Sequence, residues 1–255
     1  MRFASLGSGS DGNGLLVEAG TTRVLIDCGF GLRDTIVRLA RLGLEPEAVS
    51  AILVTHEHSD HIGGVAAFAE RFGTQVWLTF GTLAIVSERF AELSCVRSFD
   101  SHDVFAIDGI EVHPFPVPHD AREPVQFVCT DGQWRLGVLT DLGMSTAHVE
   151  ASLSGCDALV LECNHDLEML AGGDYPESLK RRIASRLGHL DNGAAADLLA
   201  SIDTSRLKHV FAAHLSRENN RPELARAALA GSLDCDVGWI GVADQEQGFG
   251  WREFI

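Results

Sequence analysis

The feature that most constrains this chain is the run His-Glu-His-Ser-Asp-His at residues 56–61, which places three imidazoles and an aspartate within six positions. An apolar β-type run at residues 51–55 precedes it, and Ile-Gly-Gly at residues 62–64 follows, so a strand should end here and open into a loop and a helix. Imidazole suits zinc, iron and similar metals, and a carboxylate adds a harder ligand. The first two histidines can converge on one ion, and the Asp-His pair can turn towards a second.

Length and composition predict one domain over residues 1–255. Of these residues 45% are hydrophobic, which is ample for a large core, and no linker, low-complexity block or internal repeat interrupts the chain. The six cysteines are scattered without a CxxC pair, which is typical of a reduced intracellular protein. Neither a signal peptide nor an apolar run of about 18 residues is evident. We therefore expect a cytoplasmic protein with no membrane association.

The net charge of −16 weighs against non-specific coating of nucleic acid, because a strongly acidic protein repels polyanions at long range. The basic residues are uneven, however: residues 1–175 hold 10 Lys and Arg, and residues 176–255 hold the other 10. Bound metal ions would add local positive charge. A phosphodiester in a cleft therefore stays compatible with the charge, although an exposed helix face explains any single one of these basic residues equally well.

Strand and helix patterns alternate along the chain, with strands prevailing in the middle and helices in both flanks. Strands are predicted at residues 2–6, 15–18, 23–27, 51–55, 75–78, 104–107, 110–115, 126–130, 134–139, 158–162 and 207–212. Helices are predicted at residues 32–42, 62–72, 82–90, 177–187, 194–201 and 222–230. Two inner sheets with helices outside them are the layered arrangement that this order favours.

A glycine-rich segment at residues 7–12, Gly-Ser-Gly-Ser-Asp-Gly, matches the G-x-G-x-x-G pattern of dinucleotide sites. That pattern requires a helix to begin in the loop, whereas strands are predicted on both sides here. We interpret the segment as a turn near the functional edge of the sheets, from which Asn13 can reach a ligand.

The HxHxDH run after a hydrophobic strand resembles the signature of the metallo-β-lactamase superfamily. Further positions match the order and spacing of that superfamily along nearly the whole chain: Asp27, His119, Asp141 and His214. Segments 7–13, 162–166, 188–192 and 214–220 are similar to its YycJ/WalJ branch, although Asp191 stands where that branch is expected to have Ser. The resemblance implies an α+β fold, a four-layer αβ/βα sandwich, with metals at one edge of the sheets.

Two divalent metal ions are implied by the same resemblance, and zinc, manganese or iron would suit the ligands. The ligands of the first ion would be His56, His58 and His119; those of the second would be Asp60, His61 and His214; and Asp141 would bridge both. Seven ligands with one shared carboxylate leave a bridging site for water. Two such ions lower the pKa of that water and clamp the attacking and leaving oxygens.

Other residues receive roles around this centre. The resemblance implies that Asp60 and His189 are catalytic, with His189 protonating the leaving oxygen as a histidine of tRNA-processing relatives does, although a helix cap is its structural alternative. Support behind the ligands is expected from Asp27, Glu162, His165 and Asp166. The alternatives are a turn at a strand end for Asp27 and a purely structural role for the other three. Substrate contacts are expected from Asn13, Lys180, Arg181, Arg217 and Asn219. The remaining histidines fit no pattern: His102, His113, His148 and His209.

The function that the resemblance implies is hydrolysis of phosphodiesters by a metal-bridging hydroxide, most specifically by a DNA exonuclease working 5′ to 3′. The alternatives are a ribonuclease or tRNA-processing nuclease and a small-molecule phosphodiesterase. A thioester or lactam hydrolase is disfavoured by the basic C-terminal region, and a non-catalytic metal-binding protein by the complete ligand set. The expected partner is nucleic acid, with DNA favoured over RNA; the metal, the polarity and the oligomeric state stay open.

Overall fold

A computed structural model describes residues 1–254, and two seven-stranded sheets form its centre. The strands are β1 (Arg2–Gly7), β2 (Gly14–Ala19), β3 (Thr22–Ile26), β4 (Ala51–Leu53), β5 (Gln75–Thr79), β6 (Val96–Phe99), β7 (Phe105–Ile107), β8 (Ile110–Pro116), β9 (Val125–Thr130), β10 (Arg135–Leu139), β11 (Ala158–Glu162), β12 (His209–Ala213), β13 (Gly241–Val242) and β14 (Phe249–Glu253). The helices are α1 (Leu32–Arg41), α2 (Ser59–Ile62), α3 (Val65–Phe72), α4 (Phe80–Phe90), α5 (Ala147–Leu153), α6 (Leu167–Gly172), α7 (Glu177–Ile183), α8 (Asn192–Ser201) and α9 (Pro222–Leu233).

The order of strands is β14-β1-β2-β3-β4-β5-β6 in one sheet and β13-β12-β11-β10-β9-β8-β7 in the other. Pairing is parallel from β3 through β6 and from β10 through β13, and antiparallel in the remaining ladders. Each sheet is thus mixed, as expected when helical crossovers join the parallel strands and hairpins join the others.

Alternation along the strands produces three cores, because successive side chains point to opposite faces of a sheet. In β2, Leu15 and Val17 belong to the core between the sheets, while Leu16 between them belongs to an outer core with α1, α3 and α4. In β10, Val138 faces inward and Leu139 joins the other outer core with α5, α8 and α9. Helices therefore cover both sheets, and the predicted four-layer α+β sandwich is confirmed.

The predicted elements differ from the structure mainly at glycines and at short edge elements. The helix predicted at residues 62–72 begins at Val65 as α3, and Ser59–Ile62 forms the separate short helix α2. At Gly64, between them, the chain passes so close to Phe30 that a Cβ would lie 1.9 Å from its carbonyl oxygen. The helix predicted at residues 177–187 ends at Ile183. The short elements β6, α5, α6, β13 and β14 lacked a pattern long enough to predict. Within residues 1–254, no helix has the length and apolar character needed to cross a membrane.

One edge of the sandwich collects the ends of strands from both sheets. The parallel strands β3 and β4, and likewise β10, β11 and β12, all finish there, because parallel strands present their carboxyl ends at a common edge. The residues that follow these strands, including the run at 56–61, therefore lie in short loops that face one another across the gap between the two sheets.

Candidate metal centre

Four connections, after β4, β8, β10 and β12, bring the predicted ligands together. The loop after β4 carries His56 and His58, and α2 carries Asp60 and His61. The second sheet supplies the remaining ligands after β8, β10 and β12: His119, Asp141 and His214. Ligand atoms from these side chains form overlapping groups in which all atoms lie within 4.8 Å of one another. The structure therefore brings all seven predicted ligands into one cluster.

The first group contains three imidazoles whose free nitrogens converge. His58 Nδ1 lies 3.0 Å from His56 Nε2 and 3.3 Å from His119 Nε2. Nitrogens bound at about 2.0–2.1 Å to a tetrahedral ion are about 3.3 Å apart, so this spacing suits coordination. The other nitrogen of two rings is engaged, because His56 Nδ1 contacts the Thr55 hydroxyl at 2.9 Å and His119 Nδ1 contacts the Gly188 carbonyl at 3.0 Å. These contacts orient the rings with Nε2 towards the group.

The second group combines imidazole and carboxylate. Asp60 Oδ2 lies 3.2 Å from both His61 Nε2 and His214 Nε2. Asp141 stands between the groups, with Oδ2 at 3.0 Å from His61 Nε2 and Oδ1 at 3.8 Å from His119 Nε2. Its position next to imidazoles from both groups is the position a bridging carboxylate requires.

Asp27 lies behind this group of side chains and contacts one of the predicted ligands. Its Oδ2 accepts a hydrogen bond from His61 Nδ1 at 2.7 Å, and its carboxylate also accepts from the backbone and hydroxyl of Thr55. Asn13, predicted to contact substrate, is 2% exposed and donates from Nδ2 to the Asp60 carbonyl. Its side chain thus holds the ligand segment in place and does not line the cavity.

Two residues at the centre have left-handed backbone conformations that side chains with a Cβ rarely adopt. Asp27 has φ 60° and His214 has φ 54°. Such conformations cost on the order of 1–3 kcal/mol and persist where the surrounding contacts fix them. The His214 amide donates to Ser8 Oγ at 2.9 Å, so the glycine-rich turn at residues 7–12 contributes to the placement of this ligand.

The electrostatics of the two groups differ. Burial lowers the pKa of His56 well below its ordinary value and also lowers that of His119. Burial also opposes the charged form of His61 and His214, but Asp141 and Asp60 raise the pKa of His61 well above its usual value and that of His214 to about 10. Negative charge is therefore concentrated at the second group, where a divalent cation would compete with protons for the same nitrogens.

A buried carboxylate oxygen of Asp141 that has no hydrogen-bond donor indicates whether these residues fit a metal ion. Asp141 Oδ2 is buried and makes no hydrogen bond within residues 1–254, although His61 Nε2 is only 3.0 Å away. Since His61 Nδ1 already donates to Asp27, Nε2 faces two carboxylates; the raised pKa of His61 keeps a proton there, and once that proton leaves, Nε2 presents only a lone pair to them. Buried acceptors that face one another require a cation, and nitrogen with carboxylate oxygen is a ligand set that suits divalent transition metals. The residues fit divalent metal binding.

His189 lies beside this centre in partnership with Glu162. His189 Nδ1 is 2.7 Å from Glu162 Oε1, and Glu162 Oε2 accepts from the amides of Leu142 at 2.8 Å and Leu190 at 3.2 Å. An ionised carboxylate can only accept, so Nδ1 donates and Nε2 is left for the cavity. Burial opposes protonation of His189, but Glu162 raises its pKa above the ordinary value. Glu162 thus contacts His189 directly, which the sequence did not indicate.

A cavity of about 430 Å³ opens above the ligands. One side is formed by ligand residues and His189, and the other by the segment before and within α7. The side chains on the far side, and the rim residues, lacked a predicted role: Ser10, Asp120, Tyr175, Leu179, Arg182, Ile183 and Ser216. Within α7, positions 179, 182 and 183 have the i, i+3, i+4 spacing of one helix face, but only two of them are apolar, which is too weak a signal to indicate that face from the sequence.

The other predicted substrate contacts lie away from this cavity. Lys180 Nζ donates to the Ala171 carbonyl at 2.9 Å, and Arg181 Nε donates to the Glu177 carbonyl at 3.2 Å. Arg217 forms ion pairs with Asp11 and with Glu246.

Three residues near Glu162 have structural contacts. Asp166 caps α6 by accepting from the amides of Glu168 and Met169, and its own amide donates to the Asn219 carbonyl at 2.8 Å. Asn219 is 1% exposed, and its amide donates to Ser216 Oγ. His165 is 1% exposed and forms a β-bridge with Asp191, which caps α8. These residues hold the loops after β11 and β12 together, and the contacts predicted for them with ligands or substrate stay predictions.

A family model described as "Beta-lactamase superfamily domain" matches residues 22–210, which is more than half of the chain. The chain therefore belongs to the metallo-β-lactamase superfamily, and it is a metal-dependent hydrolase. The solved structure of Zn²⁺-bound PqqB from Methylobacterium extorquens has a TM-score of 0.75 and 20% identity, covers 100% of each chain, and shares the fold.

Comparison with individual proteins indicates a narrower group within the superfamily. The chain is 36% identical to "Exodeoxyribonuclease YycJ" of Bacillus anthracis, over 99% of this chain and 92% of the relative. It is 32% identical to "Exodeoxyribonuclease WalJ" of Streptococcus pneumoniae, over 94% and 91%. A "Ribonuclease Z" of a Mycobacterium species is 27% identical over 86% and 75%. The predicted resemblance to the YycJ/WalJ branch is confirmed.

Proposed function

We propose that this protein hydrolyses phosphodiester bonds of nucleic acid and that it removes nucleotides from a DNA end in the 5′ to 3′ direction. The observation that carries the proposal is the pairing of a metal-ligand cluster with the Glu162–His189 contact across a single cavity. Similarity to relatives named exodeoxyribonucleases supports the choice of DNA.

Each part of the site has a proposed task. The His56–His58–His119 group and the Asp60–His61–His214 group would each hold one divalent cation, with Asp141 shared between them. When bound, the cations would supply an activated water and offset the charge of the phosphate. The charge of bound cations would also offset, within the cavity, the repulsion that a net charge of −16 exerts on a polyanionic substrate.

His189 is proposed to donate a proton from Nε2 to the oxygen that leaves phosphorus. The leaving oxygen of DNA belongs to an aliphatic sugar hydroxyl, a poor leaving group that needs protonation. Glu162 keeps Nδ1 protonated and faces Nε2 towards the cavity, and its charge favours the imidazolium that can donate. The proton, the leaving oxygen and the ligand cluster are then within one enclosed space.

A ribonuclease is the second candidate, since a relative named ribonuclease Z aligns with 86% of this chain. End-labelled DNA and RNA of one sequence, each labelled separately at the 5′ and the 3′ end, test both candidates with metal-loaded protein. We expect mononucleotides to appear first from the 5′ label on DNA. Faster loss of the RNA label would favour the ribonuclease, and cleavage of neither polymer by protein that binds metal would refute both.

A further inference from the structure

The far side of the cavity has a chemical character unlike that of the ligand cluster. We call it the α7 wall and define it by the side chains that Tyr175 and the inward face of α7 present: Tyr175, Leu179, Arg182 and Ile183. The wall combines one aromatic ring, two aliphatic side chains and one guanidinium. None of the residues of α7 is buried, and the three apolar members of the wall are only partly exposed, so they face the cavity rather than a core.

The α7 wall is held at a fixed place relative to the ligands. The His189 amide donates to the Ile183 carbonyl at 2.9 Å, and the Gly188 carbonyl contacts the ligand His119 at 3.0 Å. At Gly188 a Cβ would lie 2.1 Å from the Ile183 carbonyl oxygen, so the backbone there approaches the end of α7 closely. A molecule that contacts the metal ligands can therefore contact this wall at the same time.

Arg182 differs from the other basic residues of this region. Its Nε donates to Asp120 Oδ2 at 2.6 Å, and Asp120 Oδ1 lies 3.5 Å from His119 Nε2. Within residues 1–254 this is the one hydrogen bond of the Arg182 side chain, which leaves both terminal nitrogens for a ligand. Arg182 is also the only Lys or Arg among the described residues that line the cavity. A guanidinium fixed at Nε and open at its terminal nitrogens suits a phosphate group.

We propose that the α7 wall binds a single nucleotide at the end of a nucleic acid chain, with Arg182 on a phosphate and Tyr175 stacked on the base. The assignment rests on the proposed nuclease function and specifies its substrate. A volume of about 430 Å³ lies near the lower end of the roughly 300–1,000 Å³ range of small-molecule sites, which suits one unstacked nucleotide. The adjoining aliphatic side chains would cover the base edge and exclude water, and aromatic stacking tolerates any base.

Isothermal titration calorimetry with two probes separates the contribution of the base to binding affinity from that of the phosphate. The probes are deoxyadenosine 5′-monophosphate and 2-deoxyribose 5-phosphate, which lacks the base, each titrated into metal-loaded protein. A stacked base contributes about 1–3 kcal/mol, so the wild type should prefer the nucleotide by about 5- to 150-fold. Tyr175→Leu should remove most of this preference, whereas Tyr175→Phe, which keeps the ring, should retain it.

Arg182→Gln should weaken both probes by a similar factor of about 10 or more, because it removes one charge-assisted contact to phosphate. The matched controls are Trp239→Leu, an aromatic residue that is 41% exposed outside the cavity, and Arg33→Gln, an exposed residue of α1. Neither control should change either affinity. Metal content measured on every variant shows whether the ligand cluster is intact.

Equal affinity of the wild type for the two probes, an unchanged preference in Tyr175→Leu, or unchanged affinities in Arg182→Gln would overturn the subsite. Failure of the nuclease proposal has a different signature. Protein that prefers the nucleotide but leaves DNA and RNA intact would keep the subsite and contradict the nuclease function. Protein that degrades nucleic acid but binds both probes equally would support the nuclease function and contradict the subsite.

Discussion

Replacement of Glu162 by Gln tests the proton-donor role of His189 without removing its ring. Glu162 Oε2 accepts two backbone amides, so the single oxygen of Gln should take that position and its NH₂ group should face His189. His189 Nδ1 would then have to accept rather than donate, which keeps the ring neutral and makes it a weaker acid. The variant therefore changes which nitrogens of His189 carry a proton while nearly preserving the position of the ring.

The size of the effect follows from the loss of the carboxylate charge at the 2.7 Å contact. A hydrogen bond to a charged group contributes about 1.5–3 kcal/mol, so kcat on DNA should fall by about 10- to 150-fold. Bis(p-nitrophenyl) phosphate should be affected far less, because p-nitrophenolate leaves without protonation. The assay compares kcat on both substrates for protein that binds the wild-type amount of metal.

The chain offers a matched control for this variant. His113 Nε2 lies 2.7 Å from Glu111 Oε1 on β8, the same contact distance in an exposed pair remote from the cavity. Glu111→Gln should change neither rate. If Glu162→Gln slows both substrates equally while metal is retained, His189 does not protonate the leaving oxygen; if it loses metal, Glu162 supports the ligands and the proposed role is wrong.

Three further predictions concern metal binding and stability. Asp27→Asn should weaken metal binding by about 10- to 100-fold in equilibrium dialysis, because it removes the carboxylate that orients His61, and unchanged affinity would contradict that role. Removal of metal with EDTA should lower the melting temperature, and a divalent ion added at about 100 times its Kd should restore about 2.7 kcal/mol; an unchanged melting temperature would mean that the folded state binds no metal. Burial opposes ionisation of Glu18, but hydrogen bonds from Arg2 and Arg23 lower the pKa of its carboxyl in the folded state. Ionised Glu18 therefore contributes to the free energy of unfolding above the unfolded pKa near 4.5, and this contribution is lost as the pH falls through the folded pKa. Glu18→Gln should therefore cost on the order of 1–3 kcal/mol in denaturant unfolding at pH 7 and less at pH 3, and an equal cost at both pH values would refute this.

The resemblance to the superfamily supplied the members of the predicted ligand cluster, and their positions after strands explain why they lie together. His56 to His61 come after β4, and Asp141 and His214 each follow the end of a parallel strand by one or two residues. The carboxyl ends of such strands meet at one edge, so position in the sequence translates into position in space. The contact between Glu162 and His189 spans 27 residues and depends on where the loop before α8 returns to β11, which no local pattern encodes.

The substrate side of the cavity was harder to predict because it depends on the phase of one short helix. Lys180, Arg181 and Arg182 are consecutive, and successive residues of an α-helix point about 100° apart, so only one of the three can face the cavity. The sequence of α7 has too few apolar residues to indicate its inner face by itself. Asn13 and Asn219 were also uninformative, because buried structural amides and ligand-binding amides look alike in a sequence.

The most direct test of the account is the release of nucleotides from 5′-labelled linear DNA by protein of measured metal content, compared before and after removal of the metal. We expect about two divalent ions per chain, release of labelled mononucleotide by the loaded protein, and no release after chelation until metal is returned. Intact DNA in the presence of protein that carries both ions would contradict the proposed function, and release that persists after complete removal of metal would contradict the proposed role of the ligand cluster.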